Sequence, residues 1–374
     1  MTKKVIVHIT TVHPRRDTRI FYRECLSVNK HGYKCVLIVA DGMGDEVFEG
    51  INIVDIGKTP NRLNNLFKSY FRILNKVKEL KPAVVHFHDP ELIFVGARIK
   101  NIPVVFDIHE NIPSQILDKP YIPKIFRQPI SFCYKQLENF LIKRFHLVLA
   151  EHSYKSRYKD KGKSVTTILN MPEIGHFEPF INHTRKGHEI FYIGEISSDR
   201  GIHVLLDALR ILKKRKVEFY MHLVGPMTQK TKMDINTQHI LDSVRFYGRM
   251  DSKKGFELSR NCIAGISILK PIKNFVGSYS TKIFEYMAIG LPVITSNFPL
   301  YKDVVERYDC GYCIDPNSPE ELANKMEGLI KSETDVNRMG VNGSNAIKSH
   351  FNWASEEEKL RMLYRGIFEK NNQE

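Results

Sequence analysis

The sequence predicts an α/β protein of two doubly wound domains, each a parallel sheet with helices on both faces. Three observations carry that expectation. Short apolar runs alternate with longer amphipathic stretches along the whole chain. The runs are apolar on consecutive residues, as in Lys34-Cys-Val-Leu-Ile-Val-Ala40, which is the pattern of strands covered on both faces. The alternation lapses once, between Asn170 and Gly187, where Pro172, Gly175, Pro179 and Asn182 replace periodicity and mark a long connection.

In the first half, strands are expected at 5–10, 34–40, 51–56, 84–88, 104–108, 147–150 and 166–169. Helical periodicity runs through 21–26, over 63–80 and after Pro90, so the order reads β–α–β throughout. The second half repeats the scheme, with strands at 189–193, 219–224, 244–247, 264–269, 292–296 and 311–314 and a helix over 202–214. Charged amphipathic helices follow from Pro319 and again from Trp353 to Glu369. The domains are expected at 1–180 and 181–350, with 351–374 as a terminal helix.

At 374 residues, 42% apolar and 26% charged, the chain is long enough for two full cores. No apolar run reaches the length of a membrane span, and the first ten residues are too quickly followed by Arg15-Arg16-Asp17 to read as a signal peptide. A cytoplasmic protein is expected. The six cysteines are scattered, and only Cys310-Gly-Tyr-Cys313 has metal or redox spacing, with no second pair to complete a zinc site. A net charge of +14 and a pI near 9.3 call for polyanionic company. No nucleic-acid recognition module accompanies that charge, so no nucleic-acid partner is expected. The densest basic region, 119–144, interleaves Lys124, Arg127, Lys135, Lys143 and Arg144 with Tyr121, Ile125, Phe126, Ile130, Phe132 and Phe140. That mixture suits peripheral attachment to an anionic membrane at the inner face of the plasma membrane, and equally an amphipathic core helix with snorkelling cations.

The most informative stretch is Gly277-Ser-Tyr-Ser-Thr-Lys-Ile-Phe-Glu-Tyr-Met-Ala-Ile-Gly-Leu-Pro-Val-Ile-Thr-Ser296. Ser278, Ser280 and Thr281 place N–H groups and hydroxyls at a helix N-terminus, where the dipole favours phosphate, and Lys282 adds a full charge. Glu285, one turn on, can accept from both hydroxyls of a ribose diol. Each residue alone is equally an ordinary cap or a solvated helix position. The sequel of Gly290, Pro292 and a strand sets the loop at a sheet's carboxyl edge, where such folds bind ligands.

The run Ser280-Thr-Lys-Ile-Phe-Glu-Tyr-Met-Ala-Ile-Gly-Leu-Pro-Val-Ile294 resembles the donor-site signature of the retaining glycosyltransferases of family four. The resemblance implies the GT-B fold: two Rossmann-like domains facing a central cleft, with the terminal helix returning to the first. That family often places two glutamates here; the second falls on Glu285, and Gly277 stands in the position of the first. The segment Tyr192-Ile-Gly-Glu-Ile-Ser-Ser-Asp-Arg-Gly-Ile202 resembles the family's glycine turn, with Arg200 in place of its lysine and Glu195 in place of its arginine. Gly194 then makes room for the donor, and Arg200 with Lys282 would steady the leaving diphosphate. In the first domain, Asp107-Ile-His109 is similar to a segment that approaches the donor sugar, which makes His109 the catalytic candidate there; a loop-bracing histidine is the competing account.

Two further segments are dense in polar groups. His86-Phe-His-Asp-Pro-Glu91 reads like a metal triad of His86, His88 and Asp89. Alternation, however, sends His86 and His88 to one side and leaves Asp89 before Pro90, where Asp caps a helix. GT-B enzymes generally hold no catalytic metal, so structural and acceptor-side roles are expected for His88 and Asp89, and no metal or cofactor. Asp17 and Arg19 in His13-Pro-Arg-Arg-Asp-Thr-Arg19 would orient an acceptor or its phosphate, unless Asp17 is an N-cap and Arg19 a solvated residue. These segments resemble bacterial members from capsule, O-antigen and exopolysaccharide clusters. The implied activity is retaining hexosyl transfer from a nucleotide-diphosphate sugar to a lipid-linked or glycan acceptor. A sugar-nucleotide epimerase of the same fold, or an inactive partner subunit, is the alternative.

Overall fold

The structure, a computed structural model, describes residues 3–58, 62–119, 122–235 and 240–371. Met1–Asn170 with Ala354–Glu374 form one compact unit and Met171–Trp353 the other. The first boundary thus falls before position 180, and the stretch expected to be a bare connection belongs to the second unit, where it carries a short helix, Ile174–Phe177.

The first unit holds β1 (Val5–Ile9), β2 (Lys34–Val39), β3 (Glu46–Phe48), β4 (Ile51–Asp55), β5 (Val84–Phe87), β6 (Val104–Ile108), β7 (His146–Leu149) and β8 (Ser164–Thr167). They lie in the order β3-β4-β2-β1-β5-β6-β7-β8, all parallel except β3, which runs antiparallel to β4. That hairpin departs from the expected uniform β–α–β order. Its turn, Glu49 (φ 49°) and Gly50 (φ 75°), takes the left-handed conformation at both positions, which matches the strand twist. The last strand starts at Ser164 rather than at 166.

Val7, Ile9, Val36, Ile38, Val85 and Phe87 build one face of this sheet and its core. Alternation sends His8, His86 and Asp107 to the other face, because β1 and β5 pair His8 with His86, and β5 and β6 pair His86 with Val105. Over that face lies a widened helical turn, Ile20–Cys25, whose backbone closes Tyr22 onto Asp17 (3.2 Å) and Glu24 onto Arg19 (2.9 Å), five residues apart. The extra residue in the turn brings Arg19 and Glu24 onto one side. Tyr364 of the helix Trp353–Asn371 covers the same face.

The second unit carries β9 (Glu189–Ile193), β10 (Tyr220–Val224), β11 (Val244–Gly248), β12 (Cys262–Ser267), β13 (Val293–Ser296) and β14 (Gly311–Ile314). All are parallel, in the order β11-β10-β9-β12-β13-β14. The core helix Ile202–Lys214 buries Ile202, Leu205, Leu206, Leu209 and Leu212, at helical spacing, against Pro319–Lys331 and the sheet. Strand order reverses between β9 and β12. Ligands bind such sheets outside the carboxyl ends at that point.

Candidate functional site

In the second unit the sequence-predicted donor residues meet at this reversal. β9 ends in Gly194 (φ 137°), whose N–H donates to Val224 O at 2.8 Å. A Cβ on Gly194 would stand 2.7 Å from Lys282 Cε, and one on Gly225 would stand 1.8 Å from Gly194 O, so both glycines are required by close approach. Lys282 lies almost buried in the first turn of the helix Thr281–Ala288, its Nζ 5.6 Å from the centre of the Tyr192 ring. Burial and the Arg200 charge push its pKa down to about 8, against the opposing pull of Glu285 and Glu195. Arg200 Nε is 3.5 Å from Glu195 Oε2, and its guanidinium is 6.0 Å from the Phe275 ring. Glu195, standing where the resemblance implies an arginine, is therefore paired with Arg200. Glu285 is half-buried one turn beyond Lys282.

Ser280 departs from its expected part. It is the N-cap, but its hydroxyl pairs with Ser267 Oγ at 3.0 Å inside the protein and makes no capping bond. The helix N-terminus is thus open to another acceptor, with Thr281 exposed and Ser278 half-buried beside it. Ser278 uses its carbonyl to accept from the Tyr301 hydroxyl at 3.1 Å. Next to the Gly194 turn, a cavity of about 460 Å³ is lined by Ile196, Gly225, Met227, Tyr247 and Arg249, among others.

In the first unit, His109 follows β6 with its ring partly exposed, and its Nε2 lies 2.7 Å from Asp107 Oδ2. Asp107 also accepts both arms of Arg19, at 2.9 and 3.0 Å, and bonds His88 Nδ1 at 3.2 Å. Burial pushes the Asp107 carboxyl up, but Arg19 and His109 outweigh it and hold it well below the usual range. Arg19 and His88 are themselves buried. They are therefore neither solvated nor able to touch an acceptor: they fix the carboxylate that orients His109. Asp17 does cap, accepting from Arg19 N at 2.8 Å and Ile20 N at 3.0 Å. Asp89 does not cap with its side chain; it accepts from the Thr10 hydroxyl at 2.9 Å and from the Thr11 hydroxyl and N–H, since β1 ends alongside it. His13, not singled out in the sequence, stands with its ring 5.4 Å from that of His109 and Nε2 3.7 Å from Asp89.

His8, Glu24 and Tyr364 also meet here, without a signal in the sequence that joins them. His8 was visible as a lone imidazole within an apolar strand and Glu24 as an acid on an amphipathic helix. Their meeting with Tyr364, which bonds His8 Nε2 at 3.1 Å and His86 Nδ1 at 2.7 Å, is a long-range event.

Two doubly wound α/β sheets with polar groups gathered at the carboxyl ends, and a glycine turn over a buried lysine and an arginine, define the GT-B fold. The chain belongs to the family-four glycosyltransferases: the family model "Glycosyltransferase Family 4" matches residues 19–154 and "Glycosyl transferases group 1" matches 177–346. It is similar to the capsular polysaccharide biosynthesis glycosyltransferase CapM of Staphylococcus aureus, 23% identical over 188 residues, or 47% of this chain and 45% of that protein. The chain spans about half the length of the curated relatives it matches. In fold it is similar to sucrose-phosphate synthase of Thermosynechococcus elongatus, with a TM-score of 0.76 at 14% identity over 98% of this chain and 100% of that one. It is also similar to HepE of Anabaena in complex with UDP and glucose, with a TM-score of 0.71 at 16% identity over 97% and 100%.

Proposed function

We propose that the chain is a retaining hexosyltransferase that moves a sugar from a nucleotide-diphosphate donor to a lipid-linked or polysaccharide acceptor in cell-surface glycan synthesis. One observation carries the reading: Lys282, almost buried, is laid against Gly194 with Arg200 beside it. Two cations at an uncapped helix N-terminus are suited to a diphosphate whose charge grows as the glycosidic bond loosens. They take the part a divalent ion would otherwise play, so no catalytic metal is invoked. Glu285 takes the ribose hydroxyls and the cavity beside Gly225 takes the base; His109, set by Asp107, is the group the first unit offers to a substrate hydroxyl. Retention follows if the acceptor attacks from the leaving-group side, with the departing phosphate accepting its proton. The likeness to CapM favours a surface polysaccharide, and the solved HepE complex favours a uridine donor.

The test is a thermal-shift screen of nucleotide sugars followed by transfer of a labelled sugar from the donor that binds. A donor at one hundred times its Kd should stabilise the wild-type protein by about 2.7 kcal/mol. Glu285→Ala should keep the wild-type fold and lose at least about tenfold in donor affinity. Equal donor affinity in the variant removes Glu285 from the site.

The helix Lys124–Leu141 supports a place at the membrane. It buries Ser131 and Glu138, the latter bonded to Arg157 and to the Tyr158 hydroxyl, while Ile125 (77%), Phe132 (61%) and Phe140 (70%) are exposed. A core helix with snorkelling cations would do the reverse. Lys124, Lys135, Lys143 and Arg144 are exposed with them; Tyr121 lies outside the described residues. No helix among the described residues is long and apolar enough to cross a membrane. On this proposal the exposed aromatic and basic residues of Lys124–Leu141 seat the enzyme peripherally on the anionic inner face, from the cytoplasmic side. Phe132→Ser with Phe140→Ser should weaken co-sedimentation with phosphatidylglycerol vesicles by tenfold or more, at about 1.5–3 kcal/mol per buried aromatic, and leave donor binding unchanged. Unaltered sedimentation would remove this helix from the membrane contact.

A further inference from the structure

We infer that the first unit holds one structural zinc ion between His8, His86, His88 and Glu24. All four side chains are buried, and their candidate ligand atoms lie within 4.8 Å of one another. Glu24 Oε2 lies 3.9 Å from His8 Nδ1 and 4.0 Å from His88 Nε2 and makes no hydrogen bond; it is also 3.9 Å from His86 Nδ1, the nitrogen that Tyr364 holds, so His86 would bind the ion through Nε2. The other oxygen of Glu24 is ion-paired with Arg19 Nε at 3.1 Å. A carboxylate oxygen enclosed among imidazoles with no donor to accept from is strongly disfavoured unless a cation or a proton sits with it.

The outer bonds of the histidines favour the cation. Each ring has one nitrogen tied to a partner outside the cluster: His88 Nδ1 to Asp107 at 3.2 Å, and His8 Nε2 and His86 Nδ1 to the Tyr364 hydroxyl at 3.1 and 2.7 Å. The Tyr364 oxygen has lone pairs for both donors. That leaves His88 Nε2, His8 Nδ1 and His86 Nε2 as the remaining nitrogens, and His86 Nε2 is buried with no hydrogen-bond partner. Imidazole held by a carboxylate or hydroxyl on one nitrogen, with the other turned inward, is the usual outer shell of a metal-bound histidine. The buried atoms of the cluster without a hydrogen-bond partner are His86 Nε2 and the Glu24 oxygens. His8 Nδ1 and His88 Nε2 share a hydrogen bond at 2.9 Å, which a bound ion would replace. Four ligands at about 2.0–2.1 Å around a tetrahedral ion stand about 3.3 Å from each other, so this pair opens slightly and Glu24 moves slightly in. Three nitrogens and one carboxylate oxygen, with no exposed position, suit a closed structural zinc site rather than a catalytic one.

This ligand set differs from the triad suggested by the sequence. Asp89 is taken by Thr10 and Thr11, and its place falls to His8 from β1 and Glu24 from the widened turn. The ion would join β1, β5 and that turn behind Asp107, to which its ligand His88 is bonded. The inference is independent of the transferase reading.

The test uses the full chain, carried on a tag without histidines and expressed in zinc-supplemented medium. Plasma mass spectrometry should find about one zinc per chain, and stripping with dipicolinate should lower the thermal midpoint, with recovery on adding Zn2+ alone. Replacement with Co2+ should give the visible absorption of a four-coordinate ion. Glu24→Gln keeps the shape and removes the anionic ligand, and should cut zinc affinity by tenfold or more. A wild-type protein that is folded and metal-free after incubation with zinc overturns the inference. That is the outcome expected if a proton and not an ion neutralises Glu24, and a Glu24→Gln variant that binds zinc as tightly as the wild type equally overturns it, because Glu24 is then not a ligand. The wild-type metal content and cobalt spectrum decide the matter even where the variant does not fold.

Discussion

Lys282→Met is expected to abolish sugar transfer and, without donor, to give a more stable protein. The two effects share one cause. Burial and Arg200 bring the Lys282 pKa from 10.5 down to about 8. At 1.36 kcal/mol per tenfold change, holding the ammonium charged in the folded protein costs about 3 kcal/mol. The folded pKa lies below the unfolded one, so that cost is present in full below pH 8. Between about 8 and 10.5 the unfolded chain keeps the proton that the folded one has lost, and stability rises with pH. Methionine fills the same space without charge, so the variant should unfold at higher denaturant at pH 7 and lose the rise in stability across that interval. A diphosphate supplies the missing counter-charge. In the wild type kcat/KM should therefore fall above pH 8, as the free enzyme loses the Lys282 proton, while the variant should lose a factor of about 10²–10³ or more in turnover. Denaturant titrations at pH 7 and pH 10, beside the pH profile of kcat/KM, separate these results. Wild-type turnover in Lys282→Met, or a variant less stable than the wild type at pH 7, would defeat the assignment.

Lys282 also shows where the sequence is readable and where it is not. Its charge at a helix start is a local fact, and the loop, helix and strand of 277–296 follow from local spacing. Its burial depends on Gly194 at the end of another strand, which no spacing reveals. The first unit repeats the lesson. Asp17 was legible as a cap because its acceptors, Arg19 N and Ile20 N, are its neighbours. Arg19 passed for a surface residue because its partner Asp107 lies 88 positions away. The parallel sheets were legible because strands covered on both faces must be apolar on consecutive residues. The hairpin strand Glu46–Phe48 was not, because three residues with one charge carry no pattern and the Glu49-Gly50 turn is an ordinary pair in sequence. The helix 124–141 gave an apolar stripe, but only the fold decides which side of a stripe is covered.

The largest loss of stability is expected from Arg185→Met, at a residue the sequence placed in a featureless connection. Arg185 is 1% exposed, and no carboxylate among the described residues is ion-paired with it. Its guanidinium instead donates to six main-chain carbonyls in three segments: Asn182 and Gly290 through Nε, Ser259, Arg260 and Cys262 through Nη1, and Ile289 through Nη2. Burial alone draws its pKa down to about 10, still well above neutrality, so it enters the fold charged. The carbonyls of Ile289 and Gly290 end the helix that carries Lys282, where unsatisfied acceptors gather and a cation is favoured. Arg185 thus anchors that helix from its far end and ties the 182–185 segment to the loop before β12. Methionine retains much of the bulk but removes these donors: Ser259 O, Ile289 O and Arg260 O keep bonds from Cys262 N, Asn182 N and Asn182 Nδ2, while the others lose the guanidinium at about 1–3 kcal/mol for each one that water does not reach. A net loss of about 3–5 kcal/mol is expected, the size seen when one side of a buried charged network is removed. Arg185→Lys should recover only part of it, because one ammonium has three donors and cannot span three segments. Urea titration of the three proteins, with donor-induced stabilisation measured on each, gives the ranking wild type, Lys, Met. A Met variant within 1 kcal/mol of the wild type would mean that water or a shifted backbone replaces the guanidinium, and that the helix bearing Lys282 does not depend on it.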